Sequence, residues 1–225
     1  MSKLETRISR VKRSKEEAKA SYNMMSKWYD LLAGLAEKKY KEVGLQKLAT
    51  QEGEVVLEIG FGTGHCILAL ARSVDQSGKV CGIDISDGMF NVTRGRVRKA
   101  GLSGRVELKC DDTAELPYES DFFDAIFMSF TLELFDTPEI PIVLQECQRV
   151  LRSEGRICVV AMSKRGKDSL VVNLYEWVHE KFTKYVDCRP IFVRKALEDS
   201  GFQVVDVTEE SIFTLPVDIV LAKKA

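Results

Sequence analysis

None of the six cysteines forms a Cys-x-x-Cys pair or any other metal-ligand spacing. With only two histidines, His65 and His179, a histidine-rich metal site is excluded. An oxygen-ligand magnesium site lacks its acidic cluster, so no metal is expected. Cys81 and Cys158 stand inside apolar strand runs, where a thiol packs as a small hydrophobe. Thiols without a disulfide framework fit a reducing cytoplasm. No apolar run is long enough to span a bilayer, and the charged N-terminus has no apolar h-region of a secretory signal. A net charge of −1 gives no general pull toward nucleic acid or anionic membrane. Internal repeats and low-complexity tracts are missing as well. What remains, 225 residues at 45% hydrophobic, can bury a full core in one enzyme-sized domain.

The most informative stretch is Val56-Leu57-Glu58-Ile59-Gly60-Phe61-Gly62-Thr63-Gly64. An apolar strand ends in an acid and breaks into three alternating glycines, which let backbone approach a ligand closely. Ile67, Leu68 and Leu70 resume at helical spacing, so the turn feeds a helix N-terminus. A dinucleotide loop reads G-x-G-x-x-G, but His65 stands where its third glycine belongs, and the Lys-Ser/Thr pair of a P-loop is absent. Glu58 is awkward for a pyrophosphate and suited to an ammonium group. The ligand then carries an amino acid part and an adenosine part, as S-adenosyl-L-methionine does.

Three more strand ends supply partners for the rest of that ligand. Lys79 to Ser86 is a strand ending in Asp84, placed to accept hydrogen bonds from both ribose hydroxyls, with helix capping by Asp84 or Ser86 as the competing reading. Arg105 to Lys109 leads into Cys110-Asp111-Asp112-Thr113, where a carboxylate can take the adenine amine and the Thr113 N–H a ring nitrogen. Phe123 to Met128 ends at Ser129-Phe130. Glycine, acid, acid and small polar residues thus fall on one edge of an α/β sheet, the edge where ligands bind.

Glu58 to Gly64, Asp84, Asp112-Thr113 with Leu116-Pro117, and Phe123-Asp124 resemble class I S-adenosylmethionine-dependent methyltransferases over roughly residues 22–162. Tyr22 to Asp30, Gly78-Lys79-Val80 and Met128-Ser129-Phe130 are similar to the branch containing the ubiquinone and menaquinone C-methyltransferases. The resemblance implies cofactor contacts at Thr63, Asp84, Asp112, Thr113 and Ser129, with Tyr29 near the methionine end. Glu58, Gly60, Gly62, Gly64, Ile85 and Met89 complete the expected cofactor set, with S-adenosyl-L-homocysteine as product. Thr131-Leu132-Glu133-Leu134-Phe135 departs from those enzymes, placing an acid where they carry a basic residue, and the segment after Met162 shows no clear match.

The implied fold is a Rossmann-like three-layer α/β sandwich, with a mostly parallel seven-stranded sheet closed by a terminal antiparallel hairpin. Phe202–Glu209 and Val217–Ala222 are the last strands, and Ser211–Leu215 between them is too short for a helical crossover. Strand five is expected over Arg156–Met162, and a helix over Pro190–Ser200. Residues 1–50 form an N-terminal helical arm and cap over the cofactor site, and 51–225 the main domain. The arm has seven Lys/Arg against three Glu in residues 1–20, and could dock on the domain, pair with another subunit or touch an acidic surface. Two helices broken around Gly34 fill 22–49. A helix over 168–186, in an insertion near 165–188, reads equally as an active-site lid or as core; Tyr175, Trp177 and Phe182 lie on it.

A sulfonium makes its methyl a good electrophile, so direct in-line displacement needs alignment and exclusion of water but no covalent enzyme intermediate. An oxygen or ring-carbon acceptor must lose a proton. Glu133 and Tyr29 are the leading catalytic candidates, ahead of His65, His179 and Tyr22; a solvated helix-start carboxylate is the competing reading of Glu133. Phe130, Leu132, Phe135, Trp28 and Tyr29 suggest a small hydrophobic or ring-bearing acceptor, with quinone-like C-methylation included. N- or O-methylation of a lipid amine or small metabolite stays open. So do a nicotinamide-dependent oxidoreductase and a non-catalytic cofactor-binding protein. The partner expected is the small-molecule acceptor; peripheral membrane contact for a lipophilic acceptor and a homodimer are also open.

Overall fold

β1 (Val55–Ile59), β2 (Lys79–Asp84) and β4 (Phe123–Ser129) are apolar at successive positions, the pattern of strands covered on both faces. The computed structural model, which describes residues 10–11, 14–25, 35–164, 189–212 and 214–225, shows what covers them. Leu57, Ile59, Ile126 and Met128 pack with residues of α5 (Glu139–Val150) and α6 (Val193–Asp199). Val56, Ala125 and Phe127 point the other way, into a core shared with α2 (Leu35–Leu48), α3 (His65–Ser73) and α4 (Asp87–Lys99). The result is a three-layer sandwich.

With β3 (Val106–Cys110), β5 (Leu151–Met162), β6 (Phe202–Ile212) and β7 (Leu215–Lys224), the sheet has seven strands in the order β3-β2-β1-β4-β5-β7-β6. The pairings from β3 to β5 are all parallel, whereas β7 runs antiparallel to both β5 and β6. The expected terminal hairpin is therefore present, with β7 inserted between β5 and β6. Both hairpin strands run longer than the hydrophobic pattern implied: pairing continues to Ile212↔Leu215, and Tyr40 Oη donates to the Ser211 carbonyl at 2.6 Å. β5 likewise begins at Leu151 rather than Arg156, because the segment before Gly155 pairs with Phe123 across a register shift. The helix expected over Pro190–Ser200 occupies only Val193–Asp199.

α1 (Lys15–Met25) begins inside the basic arm. α2 belongs to the body of the sandwich: a side chain at Gly44 would collide with Val160 and Phe127, so only glycine lets the helix sit this close to the sheet. Arg156 fastens its end, donating to the Leu48 and Ala49 carbonyls and pairing with Glu54 at 2.8 Å. No helix among the described residues is long and apolar enough to cross a membrane. Trp28, Tyr29, Gly34, Cys188, and the 165–188 insertion with Tyr175, Trp177, His179 and Phe182 lie outside the described residues.

Candidate cofactor site

Parallel pairing puts the carboxyl ends of β1, β2, β3 and β4 on one edge, and the strand order reverses between β1 and β4. That switch point is where an open α/β sheet leaves a crevice. A cavity lies along it, lined by the four strand-end loops and by one face of α1. The glycine loop forms its floor. Gly60, Gly62 and Gly64 all have positive φ, at 72°, 49° and 81°, a region that L side chains enter only at a cost. A Cβ on Gly60 would overlap Thr131 and one on Gly64 would overlap Thr93, whereas one on Gly62 would meet nothing within 4 Å. Gly62 alone faces open cavity.

Asp84 ends β2 under this loop. Its Oδ2 accepts the Gly62 N–H at 2.8 Å and its Oδ1 the Ser86 N–H at 2.9 Å. Burial pushes its pKa up to about 6, against the two N–H donors that favour the charged form. Ser86, not Asp84, caps α4: its hydroxyl accepts the Met89 N–H at 3.1 Å. Asp84 is left with lone pairs for a diol. Asp84→Ala is expected to lower affinity for S-adenosyl-L-homocysteine about a hundredfold by calorimetry, since charge-assisted hydrogen bonds contribute about 1.5–3 kcal/mol each. In the wild type that affinity should decline as pH falls through about 6, where Asp84 takes up a proton and ceases to be an anionic acceptor. A pH-independent affinity between about 5 and 8 would contradict this assignment.

One end of the cavity brings a cation and a buried acid together. Glu58 is buried, with Oε2 lacking a hydrogen-bond partner, and burial raises its pKa well above the ordinary carboxylate range while Lys41 pulls it down. Lys41, from α2, lines the same end and pairs with Glu37 at 2.7 Å. Burial alone would lower the Lys41 pKa, but the Glu37 carboxylate more than offsets it and the ammonium stays charged. A cation beside an acid with an unpartnered oxygen offers a donor for an amino acid's carboxylate and an acceptor for its ammonium. Cys66 and Ser129 close this end, and burial raises the Cys66 thiol, so it stands protonated. Lys41 was not expected from the sequence.

At the other end Asp111, Asp112 and Thr113 line the cavity beside Ile85 and Met89. Partial burial would raise Asp112, but Lys15 and the Ala114 N–H hold it below the usual carboxylate range. α4 steadies the loop from behind: Thr93 Oγ1 donates to the Gly62 carbonyl at 2.7 Å, and Arg96 to the Thr63 carbonyl at 3.0 Å. Neither was singled out in the sequence, although their i, i+3 spacing on one helix is the available signal. His65 also lines the cavity, with its Nε2 at 3.0 Å from Arg96.

Of the expected cofactor residues, Glu58, Gly60, Gly62, Thr63, Asp84, Ile85, Met89, Asp112, Thr113 and Ser129 come together on this cavity. Gly64 does not line it: its N–H turns back to the Phe61 carbonyl at 2.8 Å, and it forms the left-handed N-cap of α3 packed on Thr93. Glu133 also requires correction. It sits on a single 3₁₀ turn, Leu132–Leu134, that directs Leu134 to the cavity and buries Glu133 behind it. Its Oε1 accepts the Met162 N–H at 3.1 Å, so it is neither solvated nor placed against an acceptor. Leu132 is likewise core, while Phe130 and Phe135 do line the cavity. Among the described residues no group of three His, Cys, Asp or Glu could hold a metal.

Residues 56–155 match the family model described as a methyltransferase domain. The ubiquinone/menaquinone biosynthesis C-methyltransferase of Vibrio vulnificus is 31% identical over 166 residues, 74% of this chain; the chain spans 62% of that relative's length. A demethylmenaquinone methyltransferase of Lactobacillus johnsonii is 27% identical over 199 residues, 80% of each chain. A solved S-adenosylmethionine-dependent methyltransferase from Aquifex aeolicus is 25% identical, with a TM-score of 0.68 over 90% of this chain and 98% of that one. The donor-shaped cavity at the switch point and the β7 insertion therefore have a family: the chain belongs to the class I S-adenosylmethionine-dependent methyltransferase superfamily.

Proposed function

We propose that this protein binds S-adenosyl-L-methionine along the β1–β4 edge and passes its methyl group to a small, hydrophobic or ring-bearing acceptor. The observation that carries the reading is the charge order along one cavity: Lys41 with Glu58 at one end, Asp84 in the middle, Asp112 at the other. That order matches an amino acid, a ribose and an adenine amine in turn. When bound, the donor supplies an electrophilic methyl on a sulfonium. The chain's residues do the rest by position. Glu58 and Lys41 orient the amino acid end, Asp84 the ribose, and Asp112 with the Thr113 N–H the base. Tyr22, Phe130, Leu134 and Phe135 form an apolar wall that excludes water from an incoming acceptor.

That wall favours an apolar ring over a lipid amine, whose ammonium is costly to desolvate against it. The relatives whose names specify quinone methylation support the same direction. The test is transfer of labelled methyl from the donor to a reduced demethylated naphthoquinone, a catecholic phenol and a primary-amine lipid side by side. Label recovered in a carbon–methyl product of the first bears out the quinone-like reading. Label only on the amine would replace it with N-methylation, and tight NADH binding without S-adenosyl-L-homocysteine binding would replace the whole assignment.

A further inference from the structure

The basic arm has contacts that cofactor binding alone does not account for. Ala18 and Tyr22, four residues apart on one face of α1, line the cavity together with Val11 and with Ser14, just before the helix. The arm is held there chiefly by charge. Arg10 forms a two-pronged pair with Asp136, at 2.8 and 2.6 Å, and the Val11 N–H adds a third bond to the same carboxylate. Lys19 pairs with Asp87 at 2.7 Å, and Asn23 Oδ1 accepts from Ser86 Oγ and the Gly88 N–H. The arm thus ties together the loops after β2, β3 and β4.

Lys15 stands at the centre of this arrangement. Its ammonium lies 2.6 Å from Asp112 Oδ2 and 3.1 Å from Glu139 Oε1. Asp112 Oδ1 accepts the Ala114 N–H at 3.1 Å and Lys15 covers Oδ2, so an adenine amine reaching this carboxylate meets an ammonium already in place. Glu139 is already a second partner of the same ammonium.

We propose that Arg10, Val11 and residues 14–25 are an electrostatic latch on the cofactor site, in which Lys15 gives up Asp112 to the adenine amine and keeps its pair with Glu139. The proposal rests on Asp112 being the adenine-end carboxylate. Lys15 is then a positioning residue that couples ligand binding to closure of the arm, and the residence time of the ligand is set by partly exposed ion pairs. Such pairs are individually weak and are screened by salt.

The test is the dissociation rate of S-adenosyl-L-homocysteine from the full chain, followed by stopped-flow displacement at low and high NaCl. In the wild type the rate should rise roughly tenfold between about 20 and 500 mM salt. Arg10→Met with Lys19→Met should give the fast rate at low salt and lose most of the salt response. Glu139→Gln removes the charge that holds Lys15 once Asp112 is taken and should weaken binding several-fold, a loss that disappears when combined with Lys15→Met. Binding with a flat salt response, or a Glu139→Gln effect unchanged by Lys15→Met, would overturn the latch and leave the cofactor site standing. No binding of S-adenosyl-L-homocysteine by the wild type would overturn both.

Discussion

Gly62→Val should abolish measurable binding of S-adenosyl-L-homocysteine while leaving the protein folded. The glycine's φ of +49° costs a substituted residue about 1–2 kcal/mol of backbone strain, somewhat more for a β-branched one. For a chain of this size that corresponds to a fall in melting temperature of about 5 °C. No steric clash adds to it, because the new Cβ enters open space. That space is the cavity floor, and two further methyl groups there would stand where the ligand must lie against backbone. The loss in affinity should be at least about a hundredfold. Gly60→Val and Gly64→Val form the contrast: their side chains would drive into Thr131 and Thr93, so both should lose fold stability several kcal/mol beyond the backbone cost. Calorimetry and thermal melts on the three variants separate the roles. A Gly62→Val protein with wild-type affinity would mean that the ligand does not cross this loop.

These three glycines also mark the limit of what the sequence could tell. Their alternation after an apolar strand is local, and it announced the loop, its helix and the ligand class. Their individual duties depend on Thr93 and Thr131, which come from elements far along the chain, so the cavity glycine and the packing glycine look alike in sequence. Asp84 was legible for the same local reason, as the acid that ends an apolar strand, and Asp112 as one of the two acids directly after the next strand. Lys41 was not, because Lys38, Lys39, Lys41 and Lys47 share one helix and nothing in their spacing says which one turns toward Glu58. Lys15 meets Asp112 across 97 residues, a pairing no local pattern encodes. The hairpin was legible because a short gap forbids a crossover, and its true length was not, because Ser211 is held by Tyr40 from α2.

Glu133 gives the other large effect, and its sign runs against the usual expectation for a carboxylate. Burial pushes its pKa up to about 8, with the Met162 N–H and Arg189 acting in the opposite direction. Unfolded, the same side chain titrates near the ordinary glutamate value of about 4.3. Between those values the folded protein binds more protons than the unfolded chain, so stability falls as pH rises through that window, by up to roughly 1.4 kcal/mol per pH unit. Glu133→Gln keeps an oxygen for the Met162 N–H and carries no charge to bury. At pH 5 the variant should match the wild type within about 1 kcal/mol. At pH 9 it should be the more stable on the order of 4 kcal/mol, with the difference levelling off above about pH 8. Denaturant titrations across that range measure this directly, and the comparison cancels the other buried acids. Because Glu133 lies behind Leu134 and holds its proton at neutral pH, turnover by the variant should stay within about twofold of the wild type. A difference in stability that stays flat with pH would mean that Glu133 is ionised in the folded protein, and a large loss of kcat would return it to the acceptor side.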